Sequence, residues 1–214
     1  MNAEPKSSVG LERRARSLAI GCVLFLSLGG CAGAMENVLV NLQPYETPGR
    51  GNGASAPQRA AVLIEPVADA RRDIVGNAIG ERTTIGNISM GGIEMEPIPT
   101  VVLTQVLRAE LMGLGFSVVA AGEQFKIGAR ATKFRVSTPA TALYWDMDGV
   151  IELDVTVSGK GGKTHDARYE AKCTDRTYVF PSEELITKVV SACVKDIGAK
   201  IRGDAALIGF LSAR

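Results

Sequence analysis

Val150-Ile-Glu-Leu-Asp-Val-Thr-Val157 alternates without a break: Ile151, Leu153, Val155 and Val157 point one way, and Glu152, Asp154 and Thr156 point the other. That period of two is the pattern of a half-buried strand, with one face on a core and one in water. The segments on either side read alike. Phe125 to Ser137 places Ile127, Ala129 and Ala131 on one face. Thr164 to Thr177 alternates through Ala167, Tyr169, Ala171 and Cys173. Gly159 to Gly162 supplies the hairpin turn between the last two strands. Three consecutive strands of this kind predict an antiparallel meander.

Two helices flank the meander. Pro99 to Leu114 carries Val102, Leu103, Val106, Leu107, Leu111 and Leu114 at three- and four-residue spacing. Pro99 suits the first turn, and Gly115 suits the position just past the last. Phe116-Ser-Val-Val119 reads as a strand leaving that helix. On the far side, Ser182 is the N-cap of a second helix with Glu183 and Glu184 in its positive first turn. Its apolar stripe is Ile186, Val189, Val190, Cys193, Val194, Ile197 and Ile201, and Gly203 ends it. Ala205 to Leu211 is a candidate short terminal helix. Ala60 to Val67 reads as the first strand, ending at or near Pro66. Residues 69–97 are punctuated by Gly76, Gly80, Gly86, Gly91 and Gly92, and read as a loop with a candidate hairpin. The predicted fold is α+β: a mixed, mostly antiparallel sheet of about five strands packed by two main helices.

The N-terminus speaks to location. Lys6, Arg13, Arg14 and Arg16 precede Ser17 to Gly30, an apolar run of 14 residues. A basic start, a short apolar run and small residues make a secretory signal peptide, and the run is short for a bilayer span of about 20 residues. Residues 1–30 are therefore read as a leader, 31–59 as a flexible tether, and 60–214 as a domain that folds without the tether. Within the tether, Asn37-Val-Leu-Val-Asn-Leu42 is a candidate short strand, and Gln43 to Pro57 is rich in Pro, Gly and Ser.

Leu28-Gly-Gly-Cys31 resembles the lipobox of bacterial lipoproteins. The resemblance implies a diacylglycerol thioether on Cys31, cleavage before it and acylation of the new amino terminus. Several acyl chains anchor stably where one binds reversibly. Ala32 does not resemble the Asp of the enteric inner-membrane retention signal, so the outer membrane is the expected destination. Two cysteines then remain in the domain, Cys173 and Cys193. They either form one disulfide or sit as two buried thiols.

Composition narrows the chemistry. Twenty-four Lys and Arg stand against 23 Asp and Glu, with no basic surplus for nucleic acid. One His excludes multi-His metal sites. Trp145-Asp-Met-Asp-Gly149 lacks a third acidic position and a closing glutamate, so it reads as strand rather than calcium loop. His165 lies beside a turn with no nucleophile in its motif, and reads as a surface residue. No phosphate loop is formed around Gly76, Gly80 and Gly86. No cofactor, metal or reaction is expected. Asp69, Arg71, Arg82 and Asn87 form a polar set on the 69–97 segment. Fixing that segment's backbone is their expected role, and contact with a partner is the other reading.

Pro66-Val-Ala-Asp-Ala-Arg71, Ile79-Gly-Glu-Arg82, Val106 to Phe116 and Tyr169-Glu-Ala onward, together with Leu28 to Cys31, resemble the YajG-type family of uncharacterised bacterial lipoproteins. The resemblance spans roughly residues 60–211 and implies a periplasmic lipoprotein domain, with no catalytic residues to carry over. The expected function is a non-catalytic binding or scaffolding role, with the membrane as one partner through the lipid anchor and an envelope protein or lipid as the other. The alternative is an auxiliary lipoprotein of an ABC-type envelope transport system, which a permease and ATPase encoded nearby would distinguish.

Overall fold

A computed structural model describes residues 36–46 and 59–213. The leader, Cys31 and most of the Pro/Gly-rich segment lie outside the described residues. The strands are β1 (Val38–Asn41), β2 (Ala61–Ile64), β3 (Ala68–Asp69), β4 (Ala78–Thr83), β5 (Ser89–Glu96), β6 (Ser117–Val118), β7 (Phe125–Thr138), β8 (Trp145–Gly159) and β9 (Thr164–Thr177). The helices are α1 (Pro99–Gly113), α2 (Glu183–Gly203) and α3 (Ala205–Ser212).

The meander forms as its alternation predicts. β7, β8 and β9 pair antiparallel over nearly their whole length. One extra residue, Thr132, interrupts β7 between Ala131 and Lys133 and returns Phe134 and Val136 to the core face. β7 is the spine. Along its other edge lie β2, β3 and β4 in succession, all parallel to it. β6 extends the sheet beside β2, and β5 then β1 extend it beside β4.

The sheet therefore has nine strands, not about five. Two of the additional strands, β4 and β5, come from the segment read as a loop with a candidate hairpin, and β3 lies at its start. β4 and β5 form an antiparallel hairpin whose register shifts twice, which erases the alternation in the sequence. At Gly80, φ is 158° and any Cβ would run into the Val136 backbone carbonyl. Only glycine lets β4 approach β7 this closely. The candidate strand at Asn37–Leu42 also forms, with Val38, Val40 and Leu42 buried. The folded unit starts at Asn37 rather than residue 60. Its first strand is held by a parallel partner far away in sequence, which local composition does not reveal.

The helices cover one face of the sheet. α1 packs on β2, β6 and β7, while α2 packs on β8, β9 and β1. The α1 C-terminus is closed by a Schellman arrangement: Phe116 N–H donates to the Leu111 carbonyl at 3.0 Å, Gly115 N–H to Met112 at 3.0 Å, and Gly115 has φ 89°. The Ser182 hydroxyl caps α2 by accepting from Leu185 N–H at 3.4 Å. The predicted stripe of α2 is buried throughout, from Ile186 to Ile201. The other face of the sheet is open and charged, with cross-strand pairs such as Arg168 to Glu152 at 2.5 Å and Arg176 to Asp146 at 2.7 Å. No helix among the described residues is long and apolar enough to cross a membrane.

Candidate functional site

The polar set of the 69–97 segment separates into two places. Arg71 is folded inward, 9% exposed. Its Nε and Nη2 donate to the two oxygens of Asp69 at 2.8 and 2.7 Å, and its remaining donors reach the carbonyls of Ala78 and Gly76 at 2.9 and 2.7 Å. This side chain staples the β3–β4 connection. Hydrogen bonds from Arg71 hold the Asp69 carboxyl below the usual carboxylate range. Arg82 is 5% exposed, donates to the Met90 carbonyl at 3.3 Å and lies 4.9 Å from the Phe180 ring centre. Both arginine side chains are turned into the fold rather than out to solvent. Asn87 sits in the exposed β4–β5 turn at φ 58°, a conformation Asn tolerates. Arg71 and Arg82 thus hold backbone carbonyls of this segment, while Asn87 stands in the exposed turn.

Other candidate groups are likewise engaged. Asp146 pairs with Arg176 on β8 and β9, so Trp145–Gly149 is strand. His165 is not a free surface side chain. It is half-buried on β9 and stacks on Phe210 of α3, ring centres 5.5 Å apart. Cys173 and Cys193 are joined as a disulfide, Cα atoms 5.5 Å apart, linking β9 to the buried face of α2. Tyr169 donates to Asp204 at 2.8 Å, and burial raises its hydroxyl pKa further above the usual tyrosine value. A shallow depression on the open face, lined by Glu65, Pro66, Gly128, Arg130, Asp154 and Thr156, has its charges matched in part, Arg130 to Asp154 at 3.7 Å.

Sequence reasoning missed one surface. The β4–β5 turn, the β7–β8 loop and the β9–α2 loop converge at one end of the sheet. The Trp145 indole donates to the Thr83 carbonyl at 3.1 Å, its ring meets Phe180 at 5.9 Å, and Tyr144 meets Tyr178 at 6.4 Å. Arg176 lies 3.8 Å above the Tyr144 ring. Over this framework Ile85, Ile88, Leu143, Tyr178 and Val179 stand 57–76% exposed. A signal was available: residues 83–93, 136–145 and 177–182 contain no charged side chain in a chain that is 22% charged.

No protein-family model matches the chain. No curated protein matches it either. Among solved structures, the fold is similar to a DUF330-family protein from Xanthomonas campestris, at 13% identity and a TM-score of 0.56, covering 80% of this chain and 96% of that one. That likeness is one of fold. Weaker similarity is found to a putative lipoprotein from Caulobacter crescentus CB15, at 14% identity and a TM-score of 0.40, covering 62% of this chain and 92% of that one. A minor lipoprotein from Acinetobacter baumannii matches at 10% identity and a TM-score of 0.38, covering 68% and 94%.

Proposed function

We propose that this protein is an outer-membrane lipoprotein, anchored at Cys31 on the periplasmic side, whose α+β domain binds or scaffolds envelope components without catalysis. The observation that carries the reading is Leu28-Gly-Gly-Cys31 directly after a basic and then apolar leader. The state of the polar side chains supports the non-catalytic part. Glu110, Asp69, Tyr169 and both domain cysteines are each tied to a structural partner. The finer resemblance, to the YajG-type lipoproteins, rests on the sequence segments that carry it, Pro66 to Arg71, Ile79 to Arg82, Val106 to Phe116 and Tyr169 onward. A Cys31→Ser variant tests the reading: it should accumulate as unlipidated precursor, and normal processing of that variant would end it. Cross-linking of the native chain in whole envelopes, followed by recovery of the adducts, tests the binding role.

A further inference from the structure

The uncharged loop end and the point where the chain enters the sheet lie at the same end of the molecule. Asn37 accepts a hydrogen bond from Gly92 N–H at 2.8 Å. Gly92 is opposite Glu81, and Glu81 is opposite Ser137. Ser137 is opposite Asp148, and Asp148 opposite Thr174. Asn37 is therefore level with the last residues of β7, the first of β8 and the last of β9. Everything beyond that level is loop end. β1 runs parallel to β5 and away from the β4–β5 turn, so Asn37, the first residue of the folded unit, lies at the loop-end side of β1.

Six residue steps separate Cys31 from Asn37, which span about 20 Å when fully extended. The β4–β5 turn stands about 13 Å beyond Asn37 at strand rise, whereas the Lys160–Gly162 turn lies about 35 Å behind it. An anchor at Cys31 reaches no farther than about 20 Å from Asn37, so the loop end is within its reach of a lipid surface and the opposite end is not. Five of the ten large apolar side chains exposed in the described residues sit on this end. A clustered apolar patch of this kind marks an interaction surface. Tyrosine with an apolar body and a polar tip suits the headgroup boundary. We infer that Ile85, Ile88, Leu143, Tyr178 and Val179 form a membrane-docking face that enters the headgroup region beside the lipid anchor and sets the domain upright on the bilayer. The inference rests on the lipidation of Cys31 proposed above.

Tryptophan depth quenching tests it on the full lipidated chain. Trp145 is the only native Trp, and the native chain supplies the background signal. Ile88→Trp, Val179→Trp and Lys160→Trp each add a probe at an exposed site. The chains are placed in vesicles of phosphatidylethanolamine and phosphatidylglycerol with brominated acyl chains. The added signal at 88 and 179 should fall roughly twofold, as expected for side chains held about 5–10 Å into the boundary, while that at 160 should not change. If mass analysis shows the anchor in place and 88 and 179 are quenched no more than 160, docking is wrong and the lipoprotein reading stands. A blue shift at 88 and 179 without bromine quenching means that a protein covers this end, a second copy or another chain, and also overturns the inference. If the chain carries no lipid at Cys31, the lipoprotein reading itself fails and the docking inference falls with it.

Discussion

Arg202 grips the carboxylate of Glu110 with two nitrogens, Nε to Oε2 at 2.7 Å and Nη2 to Oε1 at 2.9 Å. Glu110 is fully buried in α1, and Tyr45 donates its hydroxyl to the same carboxylate. A buried charge is tolerated only when paired and hydrogen-bonded. This triad ties α1, α2 and the segment after β1 together. Gly198 of α2 makes room for it, since a Cβ there would press into the Tyr45 hydroxyl and lie 2.9 Å from Glu110. Arg202→Met should cost about 3 kcal/mol, because it strands a buried carboxylate. Gly198→Ala should also destabilise, by displacing Tyr45. Urea denaturation checks both, and unchanged midpoints would show that the triad does not hold the helices.

The N-terminal boundary is testable by trimming. A chain beginning at Asn37 should unfold in one cooperative transition. One beginning at Ser55 loses buried Val38, Val40 and Leu42 along with the Tyr45 contact. At about 1.5–3 kcal/mol per buried apolar side chain, it should lose roughly 5 kcal/mol or fail to fold. Equal stability of the two would make β1 dispensable.

Acid stability should depend on Asp69. Its folded pKa is depressed by hydrogen bonds from Arg71, so its contribution is complete above the unfolded value of about 3.9 and is lost as pH falls through the folded value. Thermal midpoints of the native chain and Asp69→Asn should differ at neutral pH and converge as pH falls through the depressed folded value of Asp69. A gap that is constant with pH would mean that Asp69 contributes nothing as an anion.

The buried stripe of α2 separates two substitutions. Ile197 has no exposed surface, and Lys195 faces solvent. Ile197→Asp should cost about 4 kcal/mol or abolish folding, while Lys195→Asp should stay within about 0.5 kcal/mol. The disulfide below that stripe spans 20 residues and should contribute roughly 3 kcal/mol. Thiol titration of the denatured protein, purified without reductant, should find neither Cys173 nor Cys193 free, and two free thiols would refute the bridge.

The sequence made β8, β9, α1 and α2 legible because each repeats one period over ten residues or more, and β7 because Phe125 to Ala131 alternates before Thr132 shifts the phase. The same faces brought Cys173 and Cys193 toward one interface. β4 and β5 stayed hidden because glycines and register shifts break their alternation. β1 is four residues long, and its burial depends on β5, more than fifty positions away. Arg71 and Arg82 look like surface residues in sequence, yet carbonyls and an aromatic ring receive them inside. The loop-end surface was written as three uncharged stretches, but only the strand register shows that they meet.

Intact mass measurement of the protein extracted from membranes tests the central claim most directly. The account predicts a chain that begins at Cys31, lacks residues 1–30 and carries added diacylglycerol and acyl mass. A chain that retains the leader, or that begins elsewhere without lipid, would contradict it.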